Sequence, residues 1–381
     1  MKPLEGLLIV AIEQALAAPL CTSRLADAGA RVIKIERKEG DFARGYDEAA
    51  KGASSYFTWT NQGKESVILN FREDEDAAIL ESLISQADVF IQNLAPGAMS
   101  RAGFGSDRLR KDYPQLITVD ISGYGESESV KHLKAYDFLI QAESGLTGIS
   151  GGENEMGRIG VSICDIGAGM TAHAAILEAL IKRSRTGQGS ALAISLFDVA
   201  ADWMSVPLMH QEYGQGAPKR VGLKHPSMAP YGAFPSSDHA LTLISVQNER
   251  EWVRFCEIVL GDPNIAVDHR FSSNNLRVQN REALEQLITS ITIALTQEVL
   301  KQRLAAADIA FGAVNSVEDL AKHPALVRRR VRNETGDEVS IPRLPIRWLE
   351  EEKNAGTEQQ APKLGEHTQK IKHEFKCELE A

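Results

Sequence analysis

The sequence predicts an α/β protein in which a large, doubly wound parallel sheet is followed by a smaller α+β domain. Short β-branched runs alternate with helical segments through the first 200 residues, which is the pattern of parallel strands joined by crossover helices. The stretch 214–226 combines glycine, proline and basic residues, so it predicts a connector and a change of domain. With 381 residues and 43% hydrophobic side chains, the chain can bury about two cores.

The elements of the first domain follow from local patterns. Apolar runs rich in β-forming residues predict strands at 7–10, 31–35, 66–69, 89–92, 116–121 and 191–196. Mixed apolar and charged segments between them predict helices that end near Ala28 and Gln86 and another at 107–113. From Met170 the apolar residues recur at helical spacing, and Gly187 and Gly189 supply the stop.

The remaining chain predicts a second unit of mixed type. Its expected strands are 242–246 and 310–314, and its expected helices are 251–260, 281–295 and 297–306. The tail after Trp348 is polar and has no strong periodicity. We find no internal repeat.

Charge and hydropathy exclude several classes of partner. The 42 Lys and Arg residues against 52 Asp and Glu residues give a net charge of −10, so no general basic field favours nucleic acid or an anionic membrane. The most apolar long stretch, 161–181, contains Asp165, His173 and Glu178, whereas a membrane span needs roughly 20 nearly uncharged residues. We therefore expect neither a membrane segment nor a nucleic-acid partner.

Cysteine usage and the N-terminal residues predict a cytoplasmic protein. A small-residue patch at 15–18 resembles the end of a secretory signal, but Glu5 and Glu13 argue against export. The spacing of the cysteines predicts reduced thiols, with neither disulfides nor structural zinc. These four cysteines lie far apart in the chain: Cys21, Cys164, Cys256 and Cys377.

The usual phosphate-binding and hydrolase motifs are missing or weak. No GxGxxG follows the first predicted strand, and the sequence contains no P-loop. A Gly-x-Ser-x-Gly pattern occurs at 148–152, but a nucleophile elbow needs a strand before the serine and a helix after it. The neighbouring residues predict neither, which favours a glycine-rich turn.

Asp165 stands out as a candidate nucleophile. It follows a short apolar run and precedes a helix with a glycine-rich opening, where its carboxylate would lie beside exposed backbone N–H groups. The alternative is that Asp165 simply caps the helix that follows. Asp137 is a second and weaker candidate, since a lone aspartate is usually solvated or capping.

Basic residues follow several of the predicted strands, at Arg37, Arg72, Arg101 and Lys134. Doubly wound sheets bind ligands at the carboxyl ends of their strands, so these side chains could together hold phosphates. Taken singly, each one fits a surface residue better. His225 is a further candidate from the second domain, although a structural role is the more common one for such a histidine.

A series of short motifs runs through nearly the whole chain. They are LADAGARVIKIER at 25–37, GD at 40–41 with Arg44, LNFR at 69–72, QNLAPGA at 92–98 with Arg101, GFG at 103–105, KAYD at 134–137, VSICDIGAGM at 161–170, RTGQG at 185–189, PYG at 230–232 and PKLGEHT at 362–368. Each motif alone is weak, but their order and spacing together are specific. The chain resembles the class III CoA-transferase family, which includes formyl-CoA transferase, carnitine CoA-transferase and the acyl-CoA racemases.

The resemblance implies an enzyme that moves coenzyme A between carboxylic acids. Asp165 matches the family's catalytic aspartate, which would attack an acyl-CoA thioester to give a mixed anhydride and would then carry CoA as an aspartyl thioester. Asp137 matches an acidic position near the active site, so we expect supporting roles for Asp137 and Tyr136. The CoA thioester is a substrate, and no permanently bound cofactor is expected. The implied CoA contacts are Ala17, Arg37, Leu69, Arg72, Asn93, Leu94, Arg101 and Lys134.

The resemblance also implies a Rossmann-like large domain, a smaller α+β domain and an interlocked homodimer. On this basis we expect residues 1–205 to form the large CoA-binding domain and 206–225 to form a linker. Residues 226–325 would form the small domain, and 326–381 would return to the large domain.

Departures from the family pattern narrow the expected substrates. Tyr136 stands where the racemases carry an acid/base histidine, which argues against racemisation. Leu16 stands where formyl-CoA transferases carry a glutamine, and their mobile glycine loop has no counterpart, which argues against formyl or oxalyl substrates.

The sequence of segment 225–234 resembles that of the family branch that acts on small dicarboxylic acids such as itaconate or mesaconate, often with succinyl-CoA as donor. Arg220 and His225 would then pair with the distal carboxylate, or else they are simply linker residues. Two other functions stay open at this point: an acyl-CoA racemase or epimerase, and a CoA-binding protein without catalysis.

Overall fold

The computed structural model describes residues 2–349 and 359–376. The strands of these residues are β1 (Leu8–Ile12), β2 (Arg31–Glu36), β3 (Glu65–Ile68), β4 (Val89–Gln92), β5 (Ile117–Ser122), β6 (Gly151–Gly152), β7 (Glu155–Met156), β8 (Ala191–Ser195), β9 (Tyr231–Pro235), β10 (Leu241–Ser245), β11 (Ala310–Ala313), β12 (Arg328–Arg332) and β13 (Glu338–Pro342).

The α-helices of the same residues are α1 (Ala17–Asp27), α2 (Ser55–Thr60), α3 (Asp74–Ser85), α4 (Ala98–Arg101), α5 (Ser106–Asp112), α6 (Asp137–Glu143), α7 (Leu146–Ile149), α8 (Ile163–Thr186), α9 (Leu196–Trp203), α10 (Ser205–Tyr213), α11 (Glu249–Arg254), α12 (Asn274–Gln279), α13 (Arg281–Thr292), α14 (Gln297–Ala306), α15 (Val317–Lys322) and α16 (Thr368–Lys376). Short 3-10 helices lie at Phe42–Gly45 and Pro263–Val267, and a π-helical segment lies at Phe255–Leu260.

The chain divides into two compact units. The first contains residues 2–146, 159–206 and the described residues from 327 onward, and the second contains 147–158 and 207–326. The predicted division differs in two details. The hairpin of β6 and β7 belongs to the second unit, and the predicted linker at 206–225 begins inside α10.

Six parallel strands form the central sheet of the first unit, in the order β3-β2-β1-β4-β5-β8. All of β4 and nearly all of β1 and β2 are buried, as in a sheet that is covered on both faces. The predicted doubly wound parallel sheet is confirmed, and every strand lies within two residues of its predicted bounds. The order reverses between β1 and β4, where sheets of this kind form a ligand-binding crevice.

Alternate residues of β1 face two separate cores. Ile9 and Ala11 lie in a core that includes α1 and α8, whereas Val10 and Ile12 lie in a core that includes α3 and α16. By length and composition alone α8 could cross a membrane, but it buries Cys164, Ala168 and Ile176 of its inner face in the first core. The inner face of α8 is therefore part of the core of the first unit.

The C-terminal residues return to the sheet of the first unit. The backbone N–H of His367 donates to the carbonyl of Ser66, and the hydroxyl of Thr368 accepts a hydrogen bond from the N–H of Ile68. In α16 the side chain of Ile371 is fully buried in the second core of this unit. The polar tail thus contains a docked helix that the sequence pattern does not reveal.

The second unit contains the antiparallel sheet β11-β10-β9. Its core is formed by residues such as Trp252, Phe255 and Leu284. The sequence predicts β10 and β11 but not β9, because Gly232 and Pro235 disfavour a strand.

The three cysteines of the described residues, Cys21, Cys164 and Cys256, are free and buried. Cys377 lies outside the described residues. Within residues 2–349 and 359–376, no group of three or more His, Cys, Asp or Glu side chains is arranged to hold a metal ion.

Candidate active site

The loop after β1 lies where the strand order reverses, and Asn93 ties it to the end of β4. The Oδ1 atom of Asn93 accepts a hydrogen bond from the N–H of Gln14 at 2.9 Å, and its Nδ2–H donates to the carbonyl of Gln14 at 2.8 Å. Helix α1 begins directly afterwards at Ala17. The predicted CoA contacts Ala17, Asn93 and Leu94 therefore follow the two strand ends that border the crevice.

Asp165 is the third residue of α8 and is half-buried. The helix begins at Ile163, seven residues before the predicted start at Met170. Ser162 occupies the N-cap position, although its side chain makes no capping hydrogen bond. The alternative reading of Asp165 as the N-cap is therefore wrong.

Asp137 supplies the missing cap from another helix. It is the first residue of α6 and is buried. Its Oδ1 atom accepts hydrogen bonds from the backbone N–H groups of Cys164 at 2.8 Å and Asp165 at 3.3 Å. The expectation of exposed N–H groups beside Asp165 is wrong, because Asp137 already occupies them.

Gln141, on the same helix α6, adds further hydrogen bonds to this arrangement. Its Nε2–H donates to Oδ2 of Asp137 at 2.8 Å, and its Oε1 accepts from the N–H of Ile159 at 3.0 Å. One face of α6 thus fixes both the segment before α8 and the first turn that carries Asp165.

The glycines after Asp165 lie inside α8 rather than in a loop before it. A Cβ atom on Gly167 would lie 2.3 Å from the ring of Trp203, and one on Gly169 would lie 2.5 Å from the carbonyl oxygen of Ala17. Both glycines are needed because α9 and α1 approach the start of α8 so closely. The same packing brings the beginning of α1 next to the helix turns that follow Asp165.

The surroundings of Asp165 disfavour its charge. Burial, together with the nearby carboxylate of Asp137, raises the pKa of Asp165 to about 7. Burial and the same two carboxylates raise the pKa of the adjacent Cys164 thiol to about 12, so this thiol stays protonated at neutral pH. Of these two neighbouring side chains, Asp165 is the one that is available as an anion.

Tyr46 is a further residue near Asp165, and the sequence interpretation missed it. It follows the 3-10 turn Phe42–Gly45, it is 46% exposed, and its ring meets the ring of Tyr56 edge-on at 5.5 Å. Burial and the charges of Asp41 and Asp165 raise the pKa of Tyr46 to about 12. The signal that could have found it is the GD motif with Arg44, which ends two residues earlier.

The four cations predicted for phosphate binding are all exposed. Arg37 follows β2, Arg72 follows β3, Arg101 lies in α4 after β4, and Lys134 lies in the segment after β5. Because all of these strands are parallel, the four side chains follow the same edge of the sheet.

Two predicted CoA contacts near that edge differ in their surroundings. Leu69 follows β3 directly and is buried. Leu94 instead lines a cavity of about 1260 Å³ that also reaches Arg101, Ser122 and Ser195. Tyr136, which precedes α6, is 61% exposed.

The two tentative substrate residues lie in the second unit, and their polar groups are largely engaged there. The guanidinium of Arg220 donates to the carbonyl oxygens of Gly148, Gly152 and Glu153. The Nδ1 atom of His225 accepts from the N–H of Ser227 at 3.1 Å. Its ring also stacks on Tyr231 at 5.2 Å.

The Gly-x-Ser-x-Gly pattern at 148–152 does not form a nucleophile elbow. Ser150 follows the short helix α7 and precedes strand β6, which is the reverse of the order that an elbow needs. Gly151 has a φ of 98° and pairs with Met156 in a tight hairpin. The expected glycine-rich turn is therefore part of a two-stranded hairpin.

A family model described as CoA-transferase family III matches residues 4–368. This chain belongs to that family. An acetyl-CoA:oxalate CoA-transferase from Acetobacter aceti is 33% identical over 98% of this chain and 96% of its own length. A succinyl-CoA:glutarate CoA-transferase from Mus musculus is 32% identical over 97% of this chain and 86% of its own length.

A solved structure of a CaiB/BaiF family protein from Brucella suis has a TM-score of 0.81, with 32% identity over 98% of this chain and 99% of that one. The resemblance drawn from the motifs is thus confirmed, and the protein is a family III CoA-transferase. Its substrates are acyl-CoA thioesters and carboxylic acids.

Proposed function

We propose that this CoA-transferase moves coenzyme A from an acyl-CoA donor such as succinyl-CoA to a small dicarboxylic acid. The observation that carries the proposal is the half-buried carboxylate of Asp165, held by α6 at the start of α8 beside the crevice helix α1. A poorly solvated carboxylate with a raised pKa is well suited to nucleophilic attack.

The reaction would proceed through two covalent forms of Asp165. Its carboxylate attacks the thioester carbonyl, and the C–S bond breaks. CoA departs as the thiolate, and Asp165 is left as a mixed anhydride with the donor acid. The thiolate then attacks the aspartyl carbonyl, which releases the donor acid and leaves an aspartyl-CoA thioester.

The acceptor carboxylate attacks this thioester and forms a second anhydride as the thiolate leaves again. Attack of the thiolate on the acceptor carbonyl gives the new acyl-CoA and restores Asp165. Each step exchanges one acyl bond for another, so no external proton donor is required.

Asp137 and Gln141 would keep Asp165 oriented during these steps. Since Asp137 occupies the N–H groups of Cys164 and Asp165, an oxyanion must be stabilised by other donors. The hydroxyl groups of Tyr46 and Tyr136 are candidates, because Asp165 and Tyr136 both lie near enough to Tyr46 to raise its pKa. The cations Arg37, Arg72, Arg101 and Lys134 would face the phosphates of CoA.

The choice of a dicarboxylic acceptor is supported by the names of the two relatives described above, because oxalate and glutarate are both dicarboxylic acids. Of the two acids, only glutarate agrees with the sequence argument against oxalyl substrates. Because Nδ1 of His225 accepts a hydrogen bond, its proton lies on Nε2, which can donate to a distal carboxylate. Arg220 is the weaker candidate of the two, since three carbonyl groups already bind its guanidinium. We further propose a homodimer, as implied by the family resemblance, and a cytoplasmic location, as predicted from the cysteines and the N-terminal residues.

The test is to incubate the purified protein with succinyl-CoA and a panel of mono- and dicarboxylic acids and to identify new CoA esters by mass spectrometry. Asp165→Ala is measured alongside, with Asp319→Ala as the matched control, because Asp319 is also the third residue of its helix. New dicarboxylyl-CoA esters from the wild type and the control alone support the proposal.

Three other outcomes would contradict this proposal. Deuterium exchange next to the thioester carbonyl without any acceptor would indicate a racemase. Turnover by Asp165→Ala at the wild-type rate would show that Asp165 is not the nucleophile. Unchanged dicarboxylate exchange in His225→Ala and Arg220→Ala would remove both residues from the acceptor site.

A further inference from the structure

Four charged side chains are buried together beneath the loop that follows β1. Glu13, Lys34, Asp41 and Lys64 are each at most 4% exposed. Lys64 Nζ donates to Glu13 Oε1 at 2.6 Å, and Lys34 Nζ donates to Asp41 Oδ2 at 2.9 Å. The neighbouring Glu36 is also buried but is paired with Arg44, so within this cluster of four residues two cations face two anions.

Such a cluster contributes little to stability for its own sake. The desolvation of buried ions generally cancels their mutual attraction, so apolar side chains of the same volume would serve a core equally well. The cluster is therefore better explained by what its remaining polar atoms bind.

Asp41 holds two backbone segments with one oxygen atom. Its Oδ1 accepts from the N–H of Ala15 at 3.0 Å and from the N–H of Ala43 at 2.9 Å. The first bond fixes the loop between β1 and α1, where Ala15 has a φ of 63°, a left-handed conformation that alanine rarely adopts. The second bond caps the 3-10 turn that leads to Tyr46.

Both segments lead to residues near the candidate active site. The loop continues into Ala17, whose carbonyl oxygen packs against Gly169 of α8. The turn delivers Tyr46, whose phenol is close enough to Asp165 for the two groups to interact. Lys34 also donates to the carbonyl of Glu13, so the same cation supports the loop at its first residue.

We propose that Asp41 is a positioning residue for CoA binding, which fixes the Gln14–Ala17 loop and the Tyr46 turn relative to each other before substrate arrives. Lys34 orients Asp41 by binding its second carboxylate oxygen. This inference rests on the proposed function, since it assigns the loop to the CoA site.

Two double variants isolate the hydrogen bonds of Asp41 from its buried charge. Lys34→Met with Asp41→Asn removes one cation and one anion, keeps Glu13 paired with Lys64, and leaves an amide oxygen for the N–H of Ala15. Lys34→Met with Asp41→Ala removes the same charges and the acceptor as well.

We expect the alanine double variant to have an approximately tenfold higher KM for succinyl-CoA and a similarly weaker Kd for CoA by calorimetry, because its loop must be ordered by the ligand. The kcat should change less than about threefold, whereas the asparagine double variant should stay near wild type. A merely structural role would instead lower the folded fraction, and hence the apparent kcat, without changing KM or Kd.

A control for stability is Arg329→Met, which breaks the ion pair with Asp27 at the far end of α1. It should lower the melting temperature and leave KM and Kd unchanged. Equal KM and Kd values in the two double variants would overturn the proposal. If the wild type bound CoA but transferred none, the proposed function would fail, and the calorimetric difference between the double variants would still decide the role of Asp41.

Discussion

Two carboxylates of the first unit, those of Glu13 and Asp165, lie in opposite electrostatic surroundings. Burial alone would raise the pKa of Glu13, but the ammonium groups of Lys64 and Lys34 outweigh it and hold that pKa below its usual value. Asp165 lies beside another carboxylate, Asp137, and its pKa is raised. Glu13 is therefore held as an anion, whereas Asp165 exchanges its proton near neutral pH.

The difference separates two uses of an acidic side chain. A carboxylate that is neutralised by lysines keeps a constant charge, so it can hold backbone N–H groups in place. A carboxylate that is desolvated without such compensation is less stable as an anion, and this favours attack on an electrophile. The Gln14–Ala17 loop is supported by the first kind of carboxylate, and the start of α8 carries the second kind.

The largest expected effect comes from replacing Asp165, the carboxylate that has no lysine partner. Asp165→Asn should lower the transfer rate by about 10³-fold or more, because the proposed mechanism forms the anhydride on the Asp165 carboxylate. The Kd for CoA should change little, in contrast to the alanine double variant at Asp41. Steady-state kinetics and calorimetry on the same preparations test this contrast, and a variant with a tenth of the wild-type rate would break it.

The next effect should be on stability. Lys64→Met leaves three charged groups in the buried cluster with a net negative charge, so it should cost about 3 kcal/mol of unfolding free energy. Denaturant titration measures this loss. Arg329→Met should cost less, because Arg329 is 22% exposed in its ion pair. Equal losses in both variants would mean that the cluster is not distinguished by its burial.

The pH dependence should distinguish the two carboxylate groups further. In the proposed mechanism only ionised Asp165 attacks, so kcat/KM should fall as the pH decreases below about 7, the pKa of this group. Asp137→Asn removes the neighbouring charge, which should move this acid limb to lower pH. An unchanged or upward-shifted limb would contradict the coupling between the two aspartates.

The smallest expected effect is a stabilising one. Since the pKa of Asp165 rises from 3.8 to about 7 on folding, the folded protein holds a proton that the unfolded chain has lost between these pH values. Stability therefore falls as the pH rises through this window. Because Asp165 is half-buried, Asp165→Asn should raise the free energy of unfolding by only about 1 kcal/mol at pH 8 and by much less at pH 4, as measured by thermal unfolding. A lower free energy of unfolding for Asp165→Asn at pH 8 would contradict the raised pKa of Asp165.

The fold was largely predictable from sequence where local patterns decide it. The strands of the central sheet and α14 follow directly from apolar periodicity. The start of α8 does not, because its first turn contains glycines that fit against Trp203 and Ala17, and its cap comes from Asp137, which lies 27 residues before Cys164.

The candidate site was predictable in part. The motif resemblance identifies Asp165 and Asp137, and the sheet topology brings the predicted CoA residues to one edge. Tyr46 and the engaged guanidinium of Arg220 depend on contacts between distant segments, which no local pattern records. The buried lysines are likewise not predictable, since Lys34 has the sequence context of an ordinary strand residue and Lys64 that of a turn residue before a strand.

The central claim is that Asp165 becomes covalently acylated and then carries CoA. The most direct test is to incubate the protein with succinyl-CoA, add hydroxylamine, and map the digested protein by mass spectrometry. Hydroxylamine attacks the activated aspartyl carbonyl, so we predict a hydroxamate at Asp165 that forms only in the presence of the thioester. A hydroxamate at another carboxylate, or none while transfer proceeds, would contradict the account.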